Sequence, residues 1–346
     1  MDHVAIDLGG RESQICVRSA EGEILLEERR ATRGLKAFLA NRPGKSRVVL
    51  ETCSEAFGVA ESAREAGHEV VVVPASLVRS LGVGSRGLKT DVRDARNLAE
   101  ASCRMSRLPS VHIPSETSRQ RKSICGLREV LVATKTKLIN AVRGWMRTWG
   151  LGTMQGGTAA TFAKRLRDRA AKQGVAIPAA VERLLVTLQT VLLQLDEADV
   201  ELKQLAKDDP VCRRLMTVPG IGPVSSLRFA AAIDDVSRFE NAASLQSYLG
   251  LVPGESSSSD RRRLTSITKA GAPEVRWALV QAAWSARRYR RKDPMVAWAA
   301  QIEARRGKCI AIVALARKLA GIMFAVWRDE TSYDPGRGAR PAPTIS

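Results

Sequence analysis

The chain has 346 residues, 45% hydrophobic and 26% charged, with a formal net charge of +19. That composition excludes a disordered polypeptide, and the length allows two domains and a connector, each with its own core. The six cysteines are scattered without a CxxC pair and there are three histidines, which argues against a disulfide framework or a zinc site and suits a reducing cytoplasm.

No apolar run in the sequence reaches the ~20 residues needed to cross a bilayer. The start, MDHVAIDLGG, carries acids and no basic n-region, so it does not read as a signal peptide. Neither a membrane nor export is expected. The charge is unevenly spread. Residues 1–100 hold 15 Lys and Arg against 15 Asp and Glu, residues 101–172 hold 15 against 3, residues 173–210 hold 3 against 7, and residues 211–330 hold 20 against 10. A neutral first domain followed by two basic regions around an acidic one is the pattern of a polyanion binder.

Val4–Asp7 reads as a short buried strand, and Ser13–Arg18 with Ile24–Glu28 as a hairpin around SAEGE. A helix near Gly34–Ala40 precedes the apolar strand SRVVLET, which ends near Glu51. A helix over Glu55–Ala66, the strand HEVVVVP and a helix from Thr90 to Met105 follow. Three antiparallel strands and then alternating helices and strands give the order of an α/β, ribonuclease-H-like domain, placed at 1–110.

Residues 111–210 read as a connector. Glu116–Trp149 predicts one long basic helix with the apolar stripe Ile124, Leu127, Leu131, Leu138, Val142 and Trp145. Arg121, Arg128, Lys135 and Arg143 lie off that stripe, the first three as candidate nucleic-acid contacts. A softer GLGTMQGG patch follows. A heptad then places Val181, Leu188, Leu195 and Leu202 at one position and Leu184, Val191, Ala198 and Leu205 at the other. This is coiled-coil spacing, pairing with the first helix, with another subunit, or with both. Residues 211–330 read as a mainly helical domain, and 331–346 as a disordered tail.

Four carboxylates stand at element ends. Asp7 and Glu51 end strands that lie side by side in this fold, and Asp91 and Asp94 share one face at a helix start. Together they form a hard-oxygen site suited to Mg²⁺ or Mn²⁺, able to orient a phosphodiester. In the last domain, TVPGIGPVSS reads as the hairpin of a helix-hairpin-helix, with Gly220 and Gly222 presenting backbone N–H groups to a phosphate. Four serines followed by Arg261, Arg262 and Arg263, with Lys269 beyond, put a hydroxyl among cations that would stabilise a pentacoordinate phosphate. RRYRRK (287–292) and RRGK (305–308) add phosphate-contact surface.

The strings AIDLG, LETC, KTDVRDA, PGIGPVSS and GLVPGESSSSDRRRLTSITKAG resemble the DEDD transposases of the insertion sequence 110 family, particularly the 1111-like group, over nearly the whole chain. The resemblance implies a RuvC-like domain whose tetrad falls on Asp7, Glu51, Asp91 and Asp94, and a transposase domain whose nucleophilic serine falls on Ser258. It also implies a structured bridge RNA that pairs with donor and target DNA, and a tetramer with composite active sites. Two departures stand out: Gly10 and Arg11 occupy the place of a common lysine, and Ser259 replaces the glycine of the SSG motif. The choice among Ser256, Ser257, Ser258 and Ser259 therefore stays open.

The expected function is RNA-guided DNA strand exchange in the bacterial cytoplasm, at the nucleoid, by a homo-oligomer. A structure-selective nuclease of the Holliday-junction type, using metal-activated water, is the first rival. A sugar-kinase or actin-like ATPase, suggested by AIDLGG, is the second; the absence of a second DxG turn counts against it.

Overall fold

A computed structural model describes residues 1–78, 90–256 and 264–336. The chain divides into two compact units, 1–114 and 115–346, so the helical connector falls within the second.

The first unit is a five-stranded sheet. Its elements are β1 (His3–Asp7), β2 (Glu12–Arg18), β3 (Ile24–Ala31), α1 (Leu35–Ala40), β4 (Arg47–Glu51), α2 (Ala56–Glu65), β5 (Glu69–Val73), α3 (Ala75–Val78) and α4 (Asp91–Arg104). The sheet order is β3-β2-β1-β4-β5. β1, β2 and β3 pair antiparallel, whereas β4 and β5 run parallel to β1, a ribonuclease-H-like arrangement. The third strand reaches Ala31, beyond the Glu28 expected, because Glu12 to Arg18 all find partners along it.

Alternation along the strands assigns the two faces. Val4, Ile6, Ile15, Val48 and Leu50 pack with α1 and α2. Ala5, Cys16, Val49 and Val71 pack with Ala95, Leu98 and Ala99 of α4. The small side chains on this second face let α4 lie close to the sheet.

The second unit begins with α5 (Glu116–Thr148), ~50 Å long, followed by α6 (Ala159–Lys172) and α7 (Ala179–Asp208). α5 and α7 run antiparallel, as Arg121 pairs with Asp209 and Arg128 with Asp199. Val181, Leu188, Leu195 and Leu202 are all buried, so the first heptad position faces the chain's own core. Leu205 of the second position is 37% exposed. Leu127, expected in the apolar stripe of α5, is 67% exposed; the buried line is Ser118, Cys125, Val142 and Met146.

The remaining elements are α8 (Pro210–Leu215), α9 (Pro223–Ile233), α10 (Ala242–Tyr248), the ribbon β6 (Pro253–Glu255) and β7 (Leu264–Ile267), α11 (Pro273–Tyr289), α12 (Pro294–Arg306) and α13 (Lys308–Arg328). Contrary to the reading of the sequence, α13 is long and apolar enough to cross a membrane by length and composition. Here it is a core helix: Ile312, Leu315, Leu319, Met323 and Phe324 are buried, and the helix packs on α10, α11 and α12. Residues 331–336, expected in a disordered tail, continue the folded unit. The Tyr333 hydroxyl donates to the Asp293 carboxylate at 2.9 Å and its backbone N–H to Thr217 Oγ1 at 2.8 Å.

Candidate active site and nucleic-acid interface

α4 is anchored at its C-terminal end to the N-terminal ends of the strands. Ser102 Oγ lies 2.7 Å from His3 Nδ1, and the Arg47 guanidinium donates to the Ser102 and Met105 carbonyls. The helix therefore runs antiparallel to β1 and β4. Asp94 lies eight residues back from Ser102, ~12 Å along the axis. Asp7 lies four residues on from His3, ~13 Å along its strand. The two acids come level at one end of the sheet.

Asp7 follows Ala5 by two residues and Glu51 follows Val49 by two, so both carboxylates project from the face that α4 covers. β1 and β4 are hydrogen-bonded neighbours, in register at Ile6 and Leu50, which sets Asp7 beside Glu51. Asp94 is buried, with 8% exposure; Asp91, one turn earlier, is exposed. Both sit in the first turn of α4, where the helix dipole favours negative charge, and Thr90 caps the helix by accepting from the Arg93 N–H.

The four acids thus share one sheet end. They do not close around an ion: among the described residues, no three His, Cys, Asp or Glu side chains gather closely enough to hold one. Their chemistry still fits Mg²⁺ or Mn²⁺, since all are hard oxygen donors. An open set also fits a cation that keeps several waters and takes further ligands from a phosphate. The adjoining β1–β2 turn is tightly made. A Cβ on Gly9 would stand 2.3 Å from the Glu12 carbonyl oxygen, and the Thr32 hydroxyl donates to the Gly9 carbonyl at 2.6 Å.

The serine segment joins β6 to β7. Ser257, Ser258, Ser259, Arg261, Arg262 and Arg263 lie outside the described residues; Ser256 and Lys269 are exposed. The residues on either side of the β6–β7 ribbon are closely packed. Gly250 has φ +67° and Gly271 φ +70°, and added Cβ atoms would meet the Ala270 and Tyr248 carbonyl oxygens at 2.2 and 2.1 Å. Arg276 donates one N–H group toward the Leu249, Ala270 and Gly271 carbonyls, tying GLVP to ITKAG. Lys269 sits at φ +57°, a left-handed conformation uncommon for a side chain of its size. Sequence reasoning missed Arg276; its only signal was a cation a few residues past the ITKAG motif.

The other basic candidates divide. Arg121 and Arg128 pair with Asp209 and Asp199, with 18% and 19% side-chain exposure, so the structure engages them between α5 and α7. Lys135 is half-buried. Gly220, expected to turn its backbone outward, has φ +86° and packs against α11, where a Cβ would stand 2.2 Å from the Ala282 carbonyl oxygen. Gly222 faces open space at the start of α9.

Residues 4–149 match a family model described as a transposase of the DEDD type, and residues 212–296 match the transposase IS116/IS110/IS902 family. A probable family 20 transposase of Pseudomonas aeruginosa is 32% identical over 298 residues, covering 84% of this chain and 86% of the relative. The transposase for insertion sequence element IS1111A of Coxiella burnetii is 32% identical over 72% of this chain and 69% of its own. That for IS1328 of Yersinia enterocolitica is 27% identical over 95% and 98%.

Proposed function

This chain belongs to the IS116/IS110/IS902 family of transposases, DNA-cleaving and DNA-rejoining enzymes of insertion elements, and we propose that it exchanges strands through a serine–phosphodiester intermediate. The observation that supports the proposal is the placement of Asp7 and Glu51 at adjacent strand ends with Asp94 in the first turn of the covering helix; in the second unit, Gly250 and Gly271 are closely packed on either side of the β6–β7 ribbon.

Asp7, Glu51, Asp91 and Asp94 would hold Mg²⁺ or Mn²⁺ near the scissile phosphate. A divalent cation supplies charge neutralisation on the phosphoryl oxygens there. Ser258 Oγ attacks phosphorus: the Oγ–P bond forms, the P–O bond to one deoxyribose breaks, and the serine proton ends on the departing deoxyribose hydroxyl. The hydroxyl of the exchanged strand reverses the step and restores the serine, so no outside energy source is needed. Lys269 and the arginine triplet stabilise the pentacoordinate phosphate.

The turn between α8 and α9 acts as a helix-hairpin-helix whose Gly222 end meets a phosphate. The antiparallel α5–α7 pair is the coiled-coil connector of a homo-oligomer. The excess of 15 Lys and Arg over 3 Asp and Glu in residues 101–172 supports an RNA partner, a structured guide for target choice.

A suicide DNA substrate tests the nucleophile. A covalent adduct mapping to Ser258 and lost in Ser258→Ala is expected, while Ser256→Ala remains active. Cleavage without any adduct would favour water attack, as in a structure-selective nuclease. Purified protein should carry a discrete RNA from cells; preference for no RNA over random sequence would remove the guide.

A further inference from the structure

The two basic runs at 287–292 and 305–308 are apart in sequence, but the fold of α11, α12 and α13 brings residues of both to one place. A cavity of about 300 Å³ opens there. Val296, Ala299, Ala311 and Ile312, all buried, form its apolar floor, and Arg287, Arg291, Glu303 and the exposed Ala300 stand around it. Arg287 is fixed from two sides. Its guanidinium forks onto the Glu303 carboxylate, both N···O distances being 2.8 Å, and its central carbon lies 5.8 Å from the Trp284 ring centroid. Lys308 covers the same ring at 4.9 Å, so the second basic run is tied to the first through one indole.

The fork onto Arg287 also holds the Glu303 carboxyl below the usual carboxylate range. The one acid in the wall is neutralised by its partner, and the cations left are Arg291 in the wall and Lys308 over Trp284, both exposed. An apolar floor under a cationic rim matches a ligand with a flat, uncharged body and an anionic link. A volume at the lower end of ligand pockets leaves no room for a helix or a duplex. We infer that this cleft holds one unpaired nucleotide of a nucleic-acid strand, its base on the floor and its phosphate between Arg291 and Lys308. Extruded bases are commonly received by pockets whose walls are apolar side chains, with cations at the phosphate.

The inference rests on nucleic acid being the substrate of the whole chain, and the test reports that separately. Full-length protein is titrated with a labelled DNA duplex carrying a single-nucleotide bulge, with the same duplex fully paired, and with both forms in RNA. The wild type should favour a bulged probe by roughly tenfold, the gain from burying one base on an apolar floor; whether bulged DNA or bulged RNA binds better identifies the source. Ala300→Phe fills the cavity from an exposed position without changing charge. It should erase the preference while leaving paired-duplex affinity and its salt dependence unchanged. Arg291→Glu should weaken both forms. Equal binding of the two forms by the wild type, or a preference that survives Ala300→Phe, overturns the pocket; failure to bind either form counts instead against nucleic acid as substrate. If Ala300→Phe melts early, photocrosslinking from 5-iododeoxyuridine at the bulge decides: adducts belong within residues 284–312, and adducts confined elsewhere overturn the proposal.

Discussion

Residues 1–114 carry 17 Lys and Arg against 15 Asp and Glu, and residues 115–346 carry 38 against 21. The near balance of the first unit is built into its frame: Arg18, Arg42, Arg47 and Arg96 pair with Glu100, Asp2, Glu69 and Glu27. Its distinctive feature is a concentration of acids at one sheet end. In the second unit the cations exceed what its own acids can neutralise, and long helices spread them over a surface. A carboxylate site needs surroundings that do not neutralise it; a polyanion binder needs uncompensated charge over many ångströms. The acids of the first unit and the surplus cations of the second are therefore separable by mutation, one unit at a time.

The largest effect should come from the acids. Asp7→Asn or Asp94→Asn keeps the shape of the side chain and removes the charge. Single-turnover cleavage in Mg²⁺ should fall by roughly a thousandfold, about 4 kcal/mol of barrier, with duplex affinity within about twofold of wild type. A parallel fall in affinity would merge the two roles and break the comparison.

Next come the glycines on either side of the β6–β7 ribbon. Gly250→Ala and Gly271→Ala force a Cβ onto a backbone carbonyl at positive φ, and neither backbone can retreat without moving the other. Each should cost about 3 kcal/mol of stability, read as a lower Tm. Gly222→Ala, with open space around it, should be nearly silent in Tm.

These two sets of residues also mark how far the sequence could be read. The positions of Asp7, Glu51, Asp91 and Asp94 at element ends were legible because strand ends and an i, i+3 pair are local signals, and the sheet order sets Asp7 beside Glu51. The glycines of PGIGP were legible as a turn but not by purpose. Gly220 faces Ala282, more than sixty residues away, and no local pattern reports which helix backbone will press on it. Leu127 shows the same limit from the other side: an apolar residue at helical spacing was assigned to the core, yet α7 covers the neighbouring face. The cavity between α11, α12 and α13 had no sequence signal beyond two basic runs, because it exists only where three helices meet. Arg276 was passed over because its partners are carbonyls, and any residue supplies a carbonyl.

A smaller effect separates cations that hold the fold from cations that face solvent. Arg121→Ala removes one partner of a mostly buried pair and should cost about 2 kcal/mol of stability, with little change in the salt dependence of nucleic-acid binding. Lys137→Ala, at an exposed position on the same helix, should leave Tm unchanged. If Lys137 touches a phosphate, the log–log salt slope should fall by about 0.7–0.9. The reverse assignment would mean that the α5–α7 pair opens when nucleic acid binds.

The smallest effect concerns thiols, and it compares accessibility across both units. Cys16, Cys53 and Cys103 in the first unit are pushed up from the ordinary thiol range chiefly by burial. In the second unit Cys212 is pushed up to about 12 by desolvation and then by Asp209, whereas Cys309 lies exposed at the start of α13. The thiolate is the reactive form, so at pH 8 a maleimide should label Cys309 first, with all six cysteines reacting only after denaturation. The same shift carries a pH signature. Below the unfolded thiol's pKa of 9.0 both states hold the Cys212 proton and its burial is undisturbed. As the pH rises from about 9 toward about 12 the unfolded chain ionises there and the folded chain does not, so stability falls through that window. Replacing Cys212 with alanine should flatten that part of the alkaline Tm curve while lowering Tm at neutral pH through the cavity it leaves. An alkaline limb identical in the two proteins would show that Cys212 is not the group that titrates.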